Sequence, residues 1–270
     1  MAVAQTSSIL SADLDRRFGG LARLYGDDGA EKIRAAHVIV VGLGGVGSWA
    51  AEALARSGVA RLTLIDLDHI AESNINRQVH ALDTTLGQAK VEAMRERIAH
   101  INPDCDVRCV EEFVDADNWP SIADLDGRQA DESVSIIDAC DQVRAKTAMA
   151  AWTLQQNAKG SGLAKINFLS VGAAGGKRHA HKVEVEDLAL VTHDPLLAQL
   201  RYRLRKEHGA AHKGKIGITC VFSREAVLQP TSTGAHGDGS LNCHGYGSVV
   251  SVTATFGICA AGWLLGEIAA

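Results

Sequence analysis

Gly42-Leu43-Gly44-Gly45-Val46-Gly47 follows the apolar run 37–41 and opens a helical stretch that Gly58 stops. In that setting the G-x-G-x-x-G spacing lets the backbone turn tightly and approach phosphates, while the helix N-terminus offers free N–H groups and positive partial charge. Asp66, at the end of the next apolar run and 24 residues after Gly42, stands where a carboxylate accepts hydrogen bonds from a ribose diol. Alone, this pattern specifies an adenine nucleotide and leaves NAD, FAD and S-adenosylmethionine open. Glycines serving packing only are the plain alternative, which has to treat strand, turn, helix and acid as a coincidence.

The residues that follow narrow the chemistry. Asp68, Asn74, Arg77 and Lys90 come next along the chain. Helix-end N–H groups manage most of a dinucleotide's pyrophosphate, whereas a triphosphate carries about four negative charges and its cleavage builds more on the phosphate oxygens. A guanidinium and an ammonium group are what nucleotidyl transfer requires there. Taken singly, Arg77 and Lys90 read as ordinary surface charges; together, behind Asp66-x-Asp68, they point to ATP. Asp138-Ala139-Cys140-Asp141 closes another apolar run, at the strand edge where such sheets bind ligands. Asp141 is the candidate Mg²⁺ ligand, with Asp138 supporting it. The alternative use of Asp141 is to cap the helix starting near Val143.

These groups need a scaffold. Strand-like runs at 37–41, 62–66, 107–110, 133–139 and 166–171 alternate with helical stretches near 47–58, 86–100 and 143–157. The expected fold is therefore α/β: a Rossmann-like, doubly wound, mostly parallel sheet with helices on both faces. The acidic stretch 115–133 reads as helix plus loop, VEVEDL (183–188) as an exposed strand, 195–207 as a basic helix, 216–228 as a strand region and 231–247 as loop. No repeat or Pro/Ser linker divides the chain. It reads as one domain, 1–270, with a nucleotide-binding core at about 16–171 and a C-terminal elaboration at about 172–270.

Aromatic residues are 4% of the chain, so Val, Ile, Leu and Ala must fill the core, as in a parallel sheet covered by helices. Apolar residues at 46% and charged residues at 22% exclude a disordered or collagen-like chain. The six cysteines form no C-x-x-C pair, which argues for reduced intracellular thiols, hence a cytoplasmic protein, and against a tetrahedral zinc site. Net charge is −5, but segments 177–182 and 201–215 carry +3 and +5, so the remainder carries −13. Such an island suits a polyanion held at one face, or is simply a solvated surface. Residues 249–266 lack any charge over eighteen positions. Their many small residues favour a helix buried on the sheet or across a subunit contact over a membrane span.

GLGGVG, LIDLD, NINRQ, the helical lysine and the D-x-x-D after a strand together resemble the ubiquitin-activating-enzyme-like ATPases, over roughly residues 16–171. That resemblance implies that Gly42, Gly44, Gly45, Gly47 and Asp66 bind ATP and that Asp68 lies near ribose or metal. It further implies that Asn74, Arg77 and Lys90 engage phosphates and that Asp141 holds magnesium. The sulfur-carrier adenylyltransferases of that family carry two C-x-x-C pairs and an N-terminal arginine finger. Here the pairs are missing and glycine stands at the finger, with Arg17 and Arg23 as substitutes. RFGGLARLYG, NRQVHAL, GAAGG and DPL with an arginine-rich helix instead resemble the tRNA threonylcarbamoyladenosine dehydratases over nearly the whole chain. This branch implies ATP-dependent cyclisation of the modified adenosine beside the anticodon, through adenylation of its carboxylate. It also implies tRNA as partner, held by Arg201, Arg203, Arg205, Lys206, Lys213 and Lys215, and a symmetric homodimer. Cys243, in a glycine-rich stretch, is the candidate contact for a sulfur-transfer partner. Adenylation of a sulfur-carrier protein, a NAD-dependent oxidoreductase and a non-catalytic scaffold are the competing readings.

Overall fold

The computed structural model describes residues 12–127, 133–159, 164–228 and 246–270. Seven strands, β1 (His37–Val41), β2 (Arg61–Ile65), β3 (Asp106–Val110), β4 (Val134–Asp138), β5 (Asn167–Val171), β6 (Val183–Asp187) and β7 (Thr219–Ser223), make one sheet in the order β3-β2-β1-β4-β5-β7-β6. All neighbours run parallel except β6 against β7. The C-terminal elaboration thus continues the core's own sheet. Alternate residues of a strand point to opposite faces, and both faces are covered, so the inner strands are buried along nearly their whole length rather than at every second residue. Val38 and Val40 pack with one buried cluster, Ile39 and Val41 with the other.

Helices α3 (Gly47–Arg56), α4 (Lys90–Ile101) and α7 (Val250–Ala269) cover the first face, α5 (Val143–Ala158) and α6 (Pro195–Glu207) the second. Two N-terminal helices that the sequence pattern does not announce, α1 (Leu14–Phe18) and α2 (Gly20–Ala35), precede β1. α2 is interrupted at Gly26, whose φ of +75° breaks the apolar period.

Other departures have local causes. α4 begins at Lys90 rather than near 86, because Gly87, at φ +81°, turns the chain and bonds Ile70, spending 86–89 on a bridge. In the stretch 115–133, the described residues hold only a 3-10 turn at Ser121–Ala123. Asp115 there accepts the N–H groups of Asp117 and Asn118, competing with a helical ladder. VEVED is a half-buried edge strand rather than an exposed one.

α7 is long and apolar enough to cross a membrane by length and composition. Its stripe Val252, Thr253, Phe256, Gly257, Ala260, Ala261, Leu264 and Leu265 is buried against the rest of the fold, mainly α3 and α2. A Cβ at Gly257 would lie 2.4 Å from the Val46 carbonyl oxygen, so the two helix backbones touch. Small residues in this segment serve helix–helix contact.

Candidate functional site

Strand order reverses between β1 and β4, and a cleft of about 400 Å³ opens there, at the carboxyl ends of the strands. The glycine turn forms its floor. Gly42 has φ +86°, and a Cβ on it would lie 2.8 Å from the Cys140 nitrogen. A Cβ on Gly47 would come within 1.8 Å of the Gly42 carbonyl oxygen. Gly44 faces open space, and the N–H groups of Gly44, Gly45 and Val46 make no hydrogen bond among the described residues. Together with the start of α3 they leave a set of free donors of the kind that binds an anion.

Asp66 is buried at the edge of this floor. One carboxylate oxygen accepts the Leu43 N–H at 2.5 Å and the other the Asp68 N–H at 2.9 Å, so the acid pins the glycine turn. Burial pushes its carboxyl above the ordinary value, against the opposing pull of Lys90 and the Leu43 N–H. Lys90, itself buried at the first position of α4, sets its ammonium 2.7 Å from Asp68 and 3.8 Å from Asp66. Arg77 lies along Gly45 and bonds the Ser73 carbonyl at 2.6 Å and the Asn76 side chain at 3.0 Å. Asn74 Oδ1 accepts the Ala71 N–H at 3.0 Å. Asp141 is exposed in the cleft lining, where its carboxylate accepts Gln142 Nε2 at 3.4 Å. Gly42, Gly44, Gly45, Asp66, Asp68, Asn74, Arg77, Lys90 and Asp141 all line the one cleft.

Asp138 does not support Asp141. Its carboxylate is fully buried, 3.0 Å from the Lys146 ammonium, and accepts the Ser170 hydroxyl at 2.7 Å and the Cys140 thiol at 3.1 Å. Lys146 also bonds the carbonyls of Asp138 and Val171, welding β4 to β5 below the cleft. Burial, with Asp138 beside it, pushes the Cys140 thiol well above its usual range; burial does the same to Cys220. Both sulfurs are poor nucleophiles for that reason. Cys243 lies outside the described residues.

The basic island is only partly a surface. Lys177 is buried and donates to the carbonyls of His193, Ser223 and Glu225. Arg201, expected on RNA, donates to the carbonyls of Leu188 and Val191, and Arg205 to those of Ala211 and His212, so both tie α6 to its flanking loops. Arg203 pairs with Glu207. Lys206, Lys213 and Lys215 are exposed. Arg17 and Arg23 do not line the cleft of their own chain.

Four further residues contribute to the site. Trp49 donates its indole N–H to the Arg77 carbonyl at 3.0 Å, and Thr253 of α7 lines the cleft beside it. Phe113 stands exposed at the rim, and Lys146 anchors the wall. Only Lys146 had a signal, a lysine in the helix directly after the D-x-x-D.

The ThiF family model matches residues 16–261. The chain belongs to the ThiF family. Among relatives, it is similar to the tRNA threonylcarbamoyladenosine dehydratase of Escherichia coli, 43% identical over 94% of both chains. It is also similar to the crystal structure of the E. coli tRNA N6-threonylcarbamoyladenosine dehydratase in complex with ATP, at 42% identity and a TM-score of 0.81, covering 95% of this chain and 96% of that one. The same enzyme in complex with AMP matches at 41% identity and a TM-score of 0.80, covering 97% of each chain.

Proposed function

We propose that this chain dehydrates N6-threonylcarbamoyladenosine beside the anticodon of tRNA, at the expense of ATP. The observation that carries the reading is similarity to dehydratases over 94% of the chain, elaboration included, joined to the Arg77–Lys90–Asp68 cage. A sulfur-carrier adenylyltransferase or a NAD-dependent oxidoreductase accounts for the core alone.

In the reaction, a threonyl carboxylate oxygen attacks the α-phosphorus of ATP. The bond from that phosphorus to the bridging oxygen breaks and pyrophosphate leaves, giving an acyl-adenylate. A carbamoyl nitrogen then attacks the acyl carbon, its proton is lost and AMP leaves, so the nucleoside ends lighter by one water. Ring closure is intramolecular and gains from effective concentration, so no enzyme nucleophile is needed. The N–H groups of the glycine turn bind phosphate, while Lys90 and Arg77 stabilise charge growing on the phosphate oxygens. Asp141 fits a magnesium ion, since a single exposed carboxylate completed by substrate phosphates is how that ion is commonly held. Bound there, magnesium would neutralise triphosphate charge. Exposed Val250 and Ile258 on α7 support pairing of two copies.

The test incubates the protein with ATP, Mg²⁺ and modified tRNA and weighs the released nucleoside. A loss of one water that requires ATP is expected; an unchanged mass, or activity only with a small carrier protein, overturns the reading. The RNA-binding part is tested separately. Replacing Lys206, Lys213 and Lys215 by Gln should weaken tRNA binding and reduce the slope of log affinity against log salt by about one for each phosphate the protein no longer neutralises. An unchanged slope removes these lysines from the interface.

A further inference from the structure

A second cavity, about 660 Å³, lies between α1, the end of α3 and α4, and shares no lining residue with the nucleotide cleft. Arg17, Arg56 and Arg97 bring three guanidinium groups to it. Arg56 and Arg97 grip the same carboxylate, Glu52, and Arg17 donates to the Ile101 carbonyl at 2.7 Å. Arginine's remaining fork of donors suits the oxygens of a phosphate. Among the described residues, Glu96 is the one carboxylate that lines the space.

His80 also lines this cavity, and among the described residues neither of its ring nitrogens has a hydrogen-bond partner although the residue is only 2% exposed. An unmet buried polar group is costly; both nitrogens are closed to solvent in this conformation, and a turn of the ring toward the cavity is what would give them a partner. Burial, with Lys90 and Arg97 nearby, lowers the His80 pKa to about 4 and keeps the ring neutral. A neutral imidazole presents one donor and one acceptor, which a hydroxyl group satisfies from either side. Three guanidinium groups argue against a cation in the same space. A bare phosphate is far smaller than the cavity, and Phe18 and Ile101 add apolar surface for a ring.

We propose that this cavity is a second ligand site, for a sugar-phosphate-like phosphomonoester. Arg17, Arg56 and Arg97 hold the phosphate, and His80 hydrogen-bonds the hydroxyl-bearing body. The site is independent of the dehydratase reading.

The test is calorimetric titration of ribose 5-phosphate into the full chain, with the nucleotide cleft saturated by a non-hydrolysable ATP analogue. One equivalent should bind, at least tenfold more tightly than inorganic phosphate or ribose alone. Arg17→Met and Arg97→Met should each weaken ribose 5-phosphate at least tenfold. His80→Phe should weaken ribose 5-phosphate while leaving inorganic phosphate unchanged. Arg17 is exposed and outside the core, so its variant reports even if Arg97→Met fails to fold. No binding with the cleft filled, or equal affinity in the Arg17 and His80 variants, overturns the proposal.

Discussion

Lys90→Met should lower ATP-dependent turnover by about 10²–10³-fold, the usual cost of removing one preorganised group that meets charge developing in the transition state. The ammonium sits 2.7 Å from Asp68, and Lys90 lines the same cleft as the glycine turn. Its attraction grows as charge shifts onto the phosphate oxygens, so kcat should fall more than KM rises. The measurement is pyrophosphate release under saturating modified tRNA, alongside a thermal melt to separate loss of charge from loss of fold. Lys90→Arg, which keeps the charge but not its point geometry, should recover part of the rate. Near-wild-type turnover in a folded Lys90→Met protein would remove this residue from the chemistry.

The second large effect is on stability. Lys146→Met should cost about 3–5 kcal/mol, because it leaves the Asp138 carboxylate charged and without its cation in a fully buried position. The bonds that tie Lys146 to Ser170 and Val171 on β5 are lost as well, although the β4–β5 ladder itself remains. Urea unfolding at neutral pH measures it. The double variant Lys146→Met with Asp138→Leu should be more stable than Lys146→Met alone, since no unpaired charge then remains. A Lys146→Met protein as stable as the original would show that solvent reaches Asp138.

Pro195–Glu207 matches the helix expected from the chain, residue for residue. Both of its signals are local: Pro195 suits the first turn, and Asp194 caps it through the Leu197 N–H at 3.0 Å. The glycine turn is legible for the same reason, since G-x-G-x-x-G between an apolar run and a helix has few other uses. By contrast, α2 is invisible in the sequence, because its period breaks at Gly26 and no apolar run announces it.

Residue types and their spacing along single strands and helices are enough to specify the strands that carry the cleft, the turn that floors it and the candidate residues around it. Which charges are free to act is another matter, settled when distant segments meet. Asp138 meets Ser170, 32 positions away, and Lys177 meets Ser223, 46 positions away. Whether an ionisable side chain faces solvent or a buried partner depends on segments the fold brings together, and one-dimensional spacing carries no record of that.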